Sequence, residues 1–80
     1  MDYMKRGVKC LESKEYKKAY AEFEQAADFG CSNAMYNLAI SHLTGLGAAI
    51  DTVQAKEFLN RAIIQMNDAA VAKMNELTSE

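Results

Sequence analysis

The chain contains one histidine, two cysteines and a single Gly-x-Gly segment, and any bond-making chemistry would have to start from these. His42 could act as a general acid or base, or ligate a metal. Either use needs a second group, and no acid, nucleophile or further ligand stands one helical turn away from it. A histidine packed and hydrogen-bonded between helices is the expectation. Cys10 and Cys31 lack Cys-x-x-Cys spacing and a histidine cluster, which reads as free thiols in a reducing compartment. The segment Thr44-Gly-Leu-Gly47 has the glycines of a phosphate cradle, but no strand precedes it and no Gly-Lys-Ser/Thr follows, so it is expected to end a helix. No catalytic residue, metal ligand or cofactor is assigned, and the reading is that of a non-enzyme.

Charge provides a different kind of chemistry. Lys5, Arg6, Lys9, Lys14, Lys17 and Lys18 fall in the first 20 residues against three acids, whereas the remaining 60 carry three basic residues against eight acidic ones. Lys14, Lys17 and Lys18 have the spacing of one helical face. The net charge is −2, and Glu12 and Glu15 dilute the basic cluster, so an acidic protein surface is a better match for it than nucleic acid.

The elements that must position these residues all read as helices, because apolar residues recur at 3–4 spacing and no stretch alternates. A first helix over about 2–12 turns Tyr3, Gly7, Val8 and Leu11 inward, and Ser13 ahead of Glu15 is the N-cap candidate for a second. That one carries Tyr16, Ala19, Tyr20, Phe23, Ala26 and Ala27 and stops at Gly30. A third, capped by Ser32 or Asn33, has one stripe of Met35, Leu38, Ala39 and His42 and another of Tyr36, Ile40 and Leu43, which makes it the central element. Asp51 with Gln54 resembles a capping box for a fourth helix bearing Val53, Phe58, Leu59, Ala62, Ile63 and Met66. Asp68 is the cap expected for a fifth, with Ala70, Val71, Met74 and Leu77 on one face and Thr78, Ser79 and Glu80 at its end. With no apolar run near the roughly 20 residues of a membrane span and no signal-type core at the N-terminus, the expected location is cytoplasmic.

Ala19, Phe23, Ala26 and Ala27 recur 36 residues later as Ala55, Leu59, Ala62 and Ile63. Small residues on either side of a large one let a neighbouring helix approach while the large side chain fills the gap, as tandem helix hairpins require. The predicted fold is all-α, an α/α superhelix of antiparallel hairpins. One domain spans 1–80: a first repeat over about 2–30, a second over about 33–66, and a capping helix over about 68–79.

The stretch from Ala34 through Tyr36, Asn37, Leu38 and the Gly45-x-Gly47 turn to Asp51, Ala55, Phe58 and Ala62 resembles the Sel1-like repeat, a relative of the tetratricopeptide repeat. Ala39, His42, Ile63 and Met66 depart from that pattern, none in a way that forbids the hairpin. The first unit lacks the Gly-x-Gly turn and is four residues shorter, with 12 positions from Gly7 to Ala19 against 16 from Ala39 to Ala55, and is similar to a plain tetratricopeptide unit. Cys10 takes the position of His42 in that alignment.

The resemblance implies a binding role, as an adaptor, inhibitor or regulator that contacts another protein or peptide. Carried over by position, it selects Lys5 and Val8 from the first helix, Tyr36, Asn37 and Ile40 from the third, and Lys73 from the fifth as a groove for an extended peptide or carboxylate tail. Packing between first helices is the competing account of Tyr36 and Ile40, and Asn37 belongs to the repeat's own pattern. A homodimer is a further expectation, since the N-terminal hairpin shows no cap and Tyr3, Met4, Tyr16 and Tyr20 could leave apolar surface exposed.

Overall fold

Five helices account for nearly all of residues 2–78, which are those described by the computed structural model. They are α1 (Tyr3–Glu12), α2 (Tyr16–Asp28), α3 (Ser32–Thr44), α4 (Thr52–Ile64) and α5 (Asp68–Thr78). The chain is all-α, as the periodicity predicts. Ser79 and Glu80, assigned to the end of the last helix and domain from sequence, lie outside the described residues, as does Met1.

Helix boundaries follow local chemistry, though not always through the residues expected. Asp2 caps α1 by accepting from the Lys5 amide at 3.0 Å, and Asp51 caps α4 by accepting from the Gln54 amide at 3.1 Å, as its capping-box spacing predicts. Ser13 does not cap α2. It closes α1 instead, and Glu15 takes the N-cap position without a side-chain hydrogen bond. Cys31, not Ser32 or Asn33, precedes α3. Asp68 is displaced by Asn67, whose Oδ1 accepts from the Ala70 amide at 3.0 Å.

Three helices end in the same left-handed turn, closed by a pair of backbone hydrogen bonds. At the end of α2, Gly30 has φ +88° and the amides of Gly30 and Cys31 donate to Ala27 and Ala26. Lys14 and Met66 adopt the same conformation, at φ 60° and 61°, with Glu15 donating to Cys10 and Asn67 to Ala62. A side chain at such a position costs about 1–2 kcal/mol relative to glycine, and that strain is masked in sequence because neither residue is glycine. Met66 consequently points outward and is 85% exposed.

Each helix packs principally on its chain neighbours: α2 on α1 and α3, and α4 on α3 and α5. The central place expected for α3 is observed. Among the described residues, eight of the twelve buried apolar ones are alanine, and only Phe23, Leu38 and Leu59 are large and fully buried, so the helices must approach closely. The closest approach is at Gly7, where a Cβ would stand 2.5 Å from the Phe23 ring. The two repeated motifs hold this seam, with Ala19, Phe23, Ala26 and Ala27 buried in one and Ala55, Leu59 and Ala62 in the other. Val8, Leu11 and Val53, assigned inward from sequence, are instead 43%, 37% and 70% exposed, because Tyr3, Met4, Gly7 and Cys10 form the inner side of α1 and Ala55, Phe58, Leu59 and Ala62 that of α4.

The two hairpins solve one volume problem in two ways, Gly7 with Phe23 in the first and Ala39 with Leu59 at the aligned positions of the second. Gly7→Ala should cost about 1–3 kcal/mol in urea unfolding. Gly7→Ala/Phe23→Leu, which rebuilds the second hairpin's combination, should recover most of it; an additive loss in the double variant would sink this account. Met66→Gly should stabilise by about 1 kcal/mol.

Candidate functional site

The second hairpin is longer than the first by four residues in its turn. Residues 13–15 join α1 to α2, whereas 45–51 join α3 to α4. Gly45 closes α3 at φ +79°, as the sequence predicts, and Gly47 at φ +88° presses against α2, where a Cβ would meet the Tyr16 carbonyl oxygen at 2.5 Å. Only glycine admits that contact.

His42 holds the turn in place. Its Nδ1 lies 3.0 Å from the Ala49 carbonyl, which can only accept, so Nδ1 carries the proton of the neutral ring. The bare Nε2 then accepts from the Tyr20 hydroxyl at 2.8 Å, and the Asp51 amide donates to the His42 carbonyl. The Phe58 ring stacks on the imidazole with centroids 6.0 Å apart. Both ring nitrogens are thus spent on protein partners, one on α2 and one in the turn, while the ring face meets α4, in agreement with a packed, hydrogen-bonded histidine. Cys10 and Cys31 are free and half-buried.

Docking the turn on α2 creates an open groove of about 450 Å³ floored by Tyr16 and Leu46 and edged by Lys14, Lys17 and Lys18. Glu15 pairs with Lys18 at 2.8 Å, and this contact raises the Lys18 pKa above its ordinary value. Among the described residues, Lys14 and Lys17 stand in no ion pair. A second groove, about 470 Å³, opens beside Tyr3, Met4, Ala26 and Phe29. Phe29 is 78% exposed and stacks on Tyr3 with centroids 5.9 Å apart. A smaller cleft of about 200 Å³ between α2, α3 and α4 carries Glu24, Asp28 and Arg61.

The groove residues selected by family position are only partly brought together. Lys5 and Val8 are exposed on α1, while Tyr36, Asn37 and Ile40 share α3 and are half-buried. The Asn37 amide donates to the Asn33 carbonyl at 3.0 Å, an intrahelical bond. Lys73 pairs with Glu76 at 2.8 Å, which raises its pKa. Tyr3, Met4, Tyr16 and Tyr20, expected as exposed apolar surface, are half-buried, with Tyr20 turned to His42; the exposed aromatic at that end is Phe29. Tyr16 and Leu46 were not marked as site residues by sequence. The signal for them is the four-residue extension, which says that the turn is long enough to reach its neighbour but not where it lands.

No protein-family model, curated protein or solved structure matches the chain. Among the described residues, no three His, Cys, Asp or Glu side chains are grouped so as to hold a metal ion, and no helix is long and apolar enough to cross a membrane.

The Tyr20–His42 bond has a measurable consequence. Burial, and after it the charge of Glu24, raises the Tyr20 pKa above 10.0. The folded state holds that proton more tightly than the unfolded state, so the contribution is complete below the unfolded pKa and is lost as pH rises through the folded value. Tyr20→Phe should lower stability by about 1–2 kcal/mol near neutrality by leaving Nε2 without a donor. It should also lose less stability than the parent on raising the pH from about 8 to 11 in urea titrations.

Proposed function

We propose that this protein is a small protein-binding module of the Sel1-like or tetratricopeptide-like kind, acting in the cytoplasm as an adaptor, inhibitor or regulator. The observation that carries the reading is that the two larger grooves, one between the start of α2 and the α3–α4 turn and the other beside α1 and the end of α2, combine apolar side chains with ionic ones, the mixture that protein interfaces use. The stacked order of the helices supports it. In such an array each unit needs only its neighbours, so faces and ends are left open to partners. The side chains of the one histidine are engaged in structure, which supports binding over catalysis as the chain's business.

Self-assembly is the second reading, supported by Phe29, a 78% exposed aromatic beside an open groove at one end of the stack. A nucleic-acid role has weaker support, since Glu15 sits among the lysines and net charge is −2.

Selection from a displayed random-peptide library on the immobilised protein should yield a consensus that binds with a micromolar Kd. Amide shifts in NMR titrations should then cluster on residues of the first hairpin. Absence of any enriched sequence, together with concentration-dependent association in sedimentation that Phe29→Ser abolishes, would replace binding of a foreign partner with self-assembly.

A further inference from the structure

We propose that the groove between the start of α2 and the α3–α4 turn docks an acidic peptide segment that presents one large apolar side chain among its carboxylates. This rests on the protein-binding reading and gives the partner a chemistry. The groove's edges carry Lys14, Lys17 and Lys18 against Glu15, a net charge of +2. The whole chain is −2, so everything outside the groove sums to −4. An acidic segment is therefore attracted to this groove and disfavoured at the third cleft, where Glu24 and Asp28 outnumber Arg61. Glu15 neutralises Lys18 alone, leaving the ammonium groups of Lys14 and Lys17 for incoming carboxylates.

The floor sets the second requirement. Tyr16 and Leu46 line it, and Leu46 is 46% exposed, so an apolar side chain seated there removes surface from water on both partners. A volume of about 450 Å³ accommodates such a side chain with its flanking backbone, but not an extended track of phosphates. A short peptide fits better than a nucleic acid strand for that reason. The site is also rigid before binding. Gly47 abuts the Tyr16 carbonyl, and His42 ties the turn to Tyr20, so the two walls, contributed by different repeats, are held at a set separation. Less ordering then opposes association.

The test is fluorescence anisotropy with three short labelled peptides: Asp and Glu around a central Leu, the same with Gly for Leu, and a Lys/Arg counterpart of the first. The acidic Leu peptide should bind, the Gly version about tenfold more weakly, and the basic one not measurably. Affinity should fall several-fold between about 50 and 200 mM salt. Lys14→Glu/Lys17→Glu should weaken the acidic peptide at least about tenfold. That variant should fold, because Glu in the first turn of α2 suits the helix dipole and Lys14 exchanges one left-handed non-glycine residue for another; circular dichroism checks this. Lys56→Glu/Arg61→Glu, the same charge change outside the groove, should leave the affinity within about twofold.

Full binding by Lys14→Glu/Lys17→Glu, equal binding of the basic peptide, or tighter binding of a single-stranded oligonucleotide of equal charge would overturn the proposal. So would self-association lost in that variant, which would make a second copy the occupant. Failure of the acidic peptides while library-selected peptides bind elsewhere would remove this groove and leave the binding-module reading standing. Failure of both classes would remove both.

Discussion

Close approach of helix backbones is the constraint on which this structure depends. With eight alanines among twelve buried apolar residues, little apolar area is available per residue, and stability has to come from bringing the helices near enough for small side chains to touch. Gly7 against Phe23 is the extreme case, with no room for a methyl group. At the aligned positions of the second hairpin stand Ala39, with a methyl group, and the smaller Leu59, both fully buried, so the summed volume of the pair is roughly maintained. A fold built this way tolerates exposed Val53, Ile64 and Met66 but has little latitude at positions of the seam.

A small alanine-rich core leaves the setting of one hairpin against the next to polar groups. Two residues do this. His42 spans α2, the α3–α4 turn and α4 with both nitrogens bonded. Asn67 caps α5 with its Oδ1, while its amide nitrogen donates to Ser32 Oγ at 3.1 Å and Asn33 Oδ1 at 2.8 Å, tying the start of α5 to the start of α3. Both are directional, so they specify register where apolar contact between alanines would permit sliding. Arg6 and Glu22, 3.2 Å apart, add an ion pair between α1 and α2.

Charge is partitioned across this frame, and its placement connects fold to function. The basic residues sit early in the chain, and the turn of the second repeat folds back to meet them. A surface helix face with lysines would interact weakly with any anion, because exposed charges are well screened. Placed beside Tyr16 and Leu46, the same lysines stand next to an apolar anchor. The short turn of the first repeat, residues 13–15, has no such reach.

Helix number, order and the alanine-flanked motifs were legible in the sequence because each is a matter of residues three or four apart, a spacing fixed by the helix itself. Asp51 and Gly30 were legible for the same reason, their partners lying within one turn of the chain. The caps at Ser13, at Ser32 or Asn33, and at Asp68 were misassigned: the left-handed turn at Lys14 makes Ser13 the end of α1, Asn67 takes the cap of α5, and the Ser32 and Asn33 side chains are engaged by Asn67 across 34–35 positions. Met66 was placed inward by periodicity, but the left-handed turn that ends α4 takes it off the helical stripe. The candidate site divides in the same way. The sequence by itself determined that three lysines share a face and that a glycine turn is four residues longer in one hairpin; only tertiary structure decided that the two meet, because Gly47 can rest on the Tyr16 carbonyl only after α1, α2 and α3 have packed at the separation their small residues, Gly7 and the alanines of α2 and α3, allow.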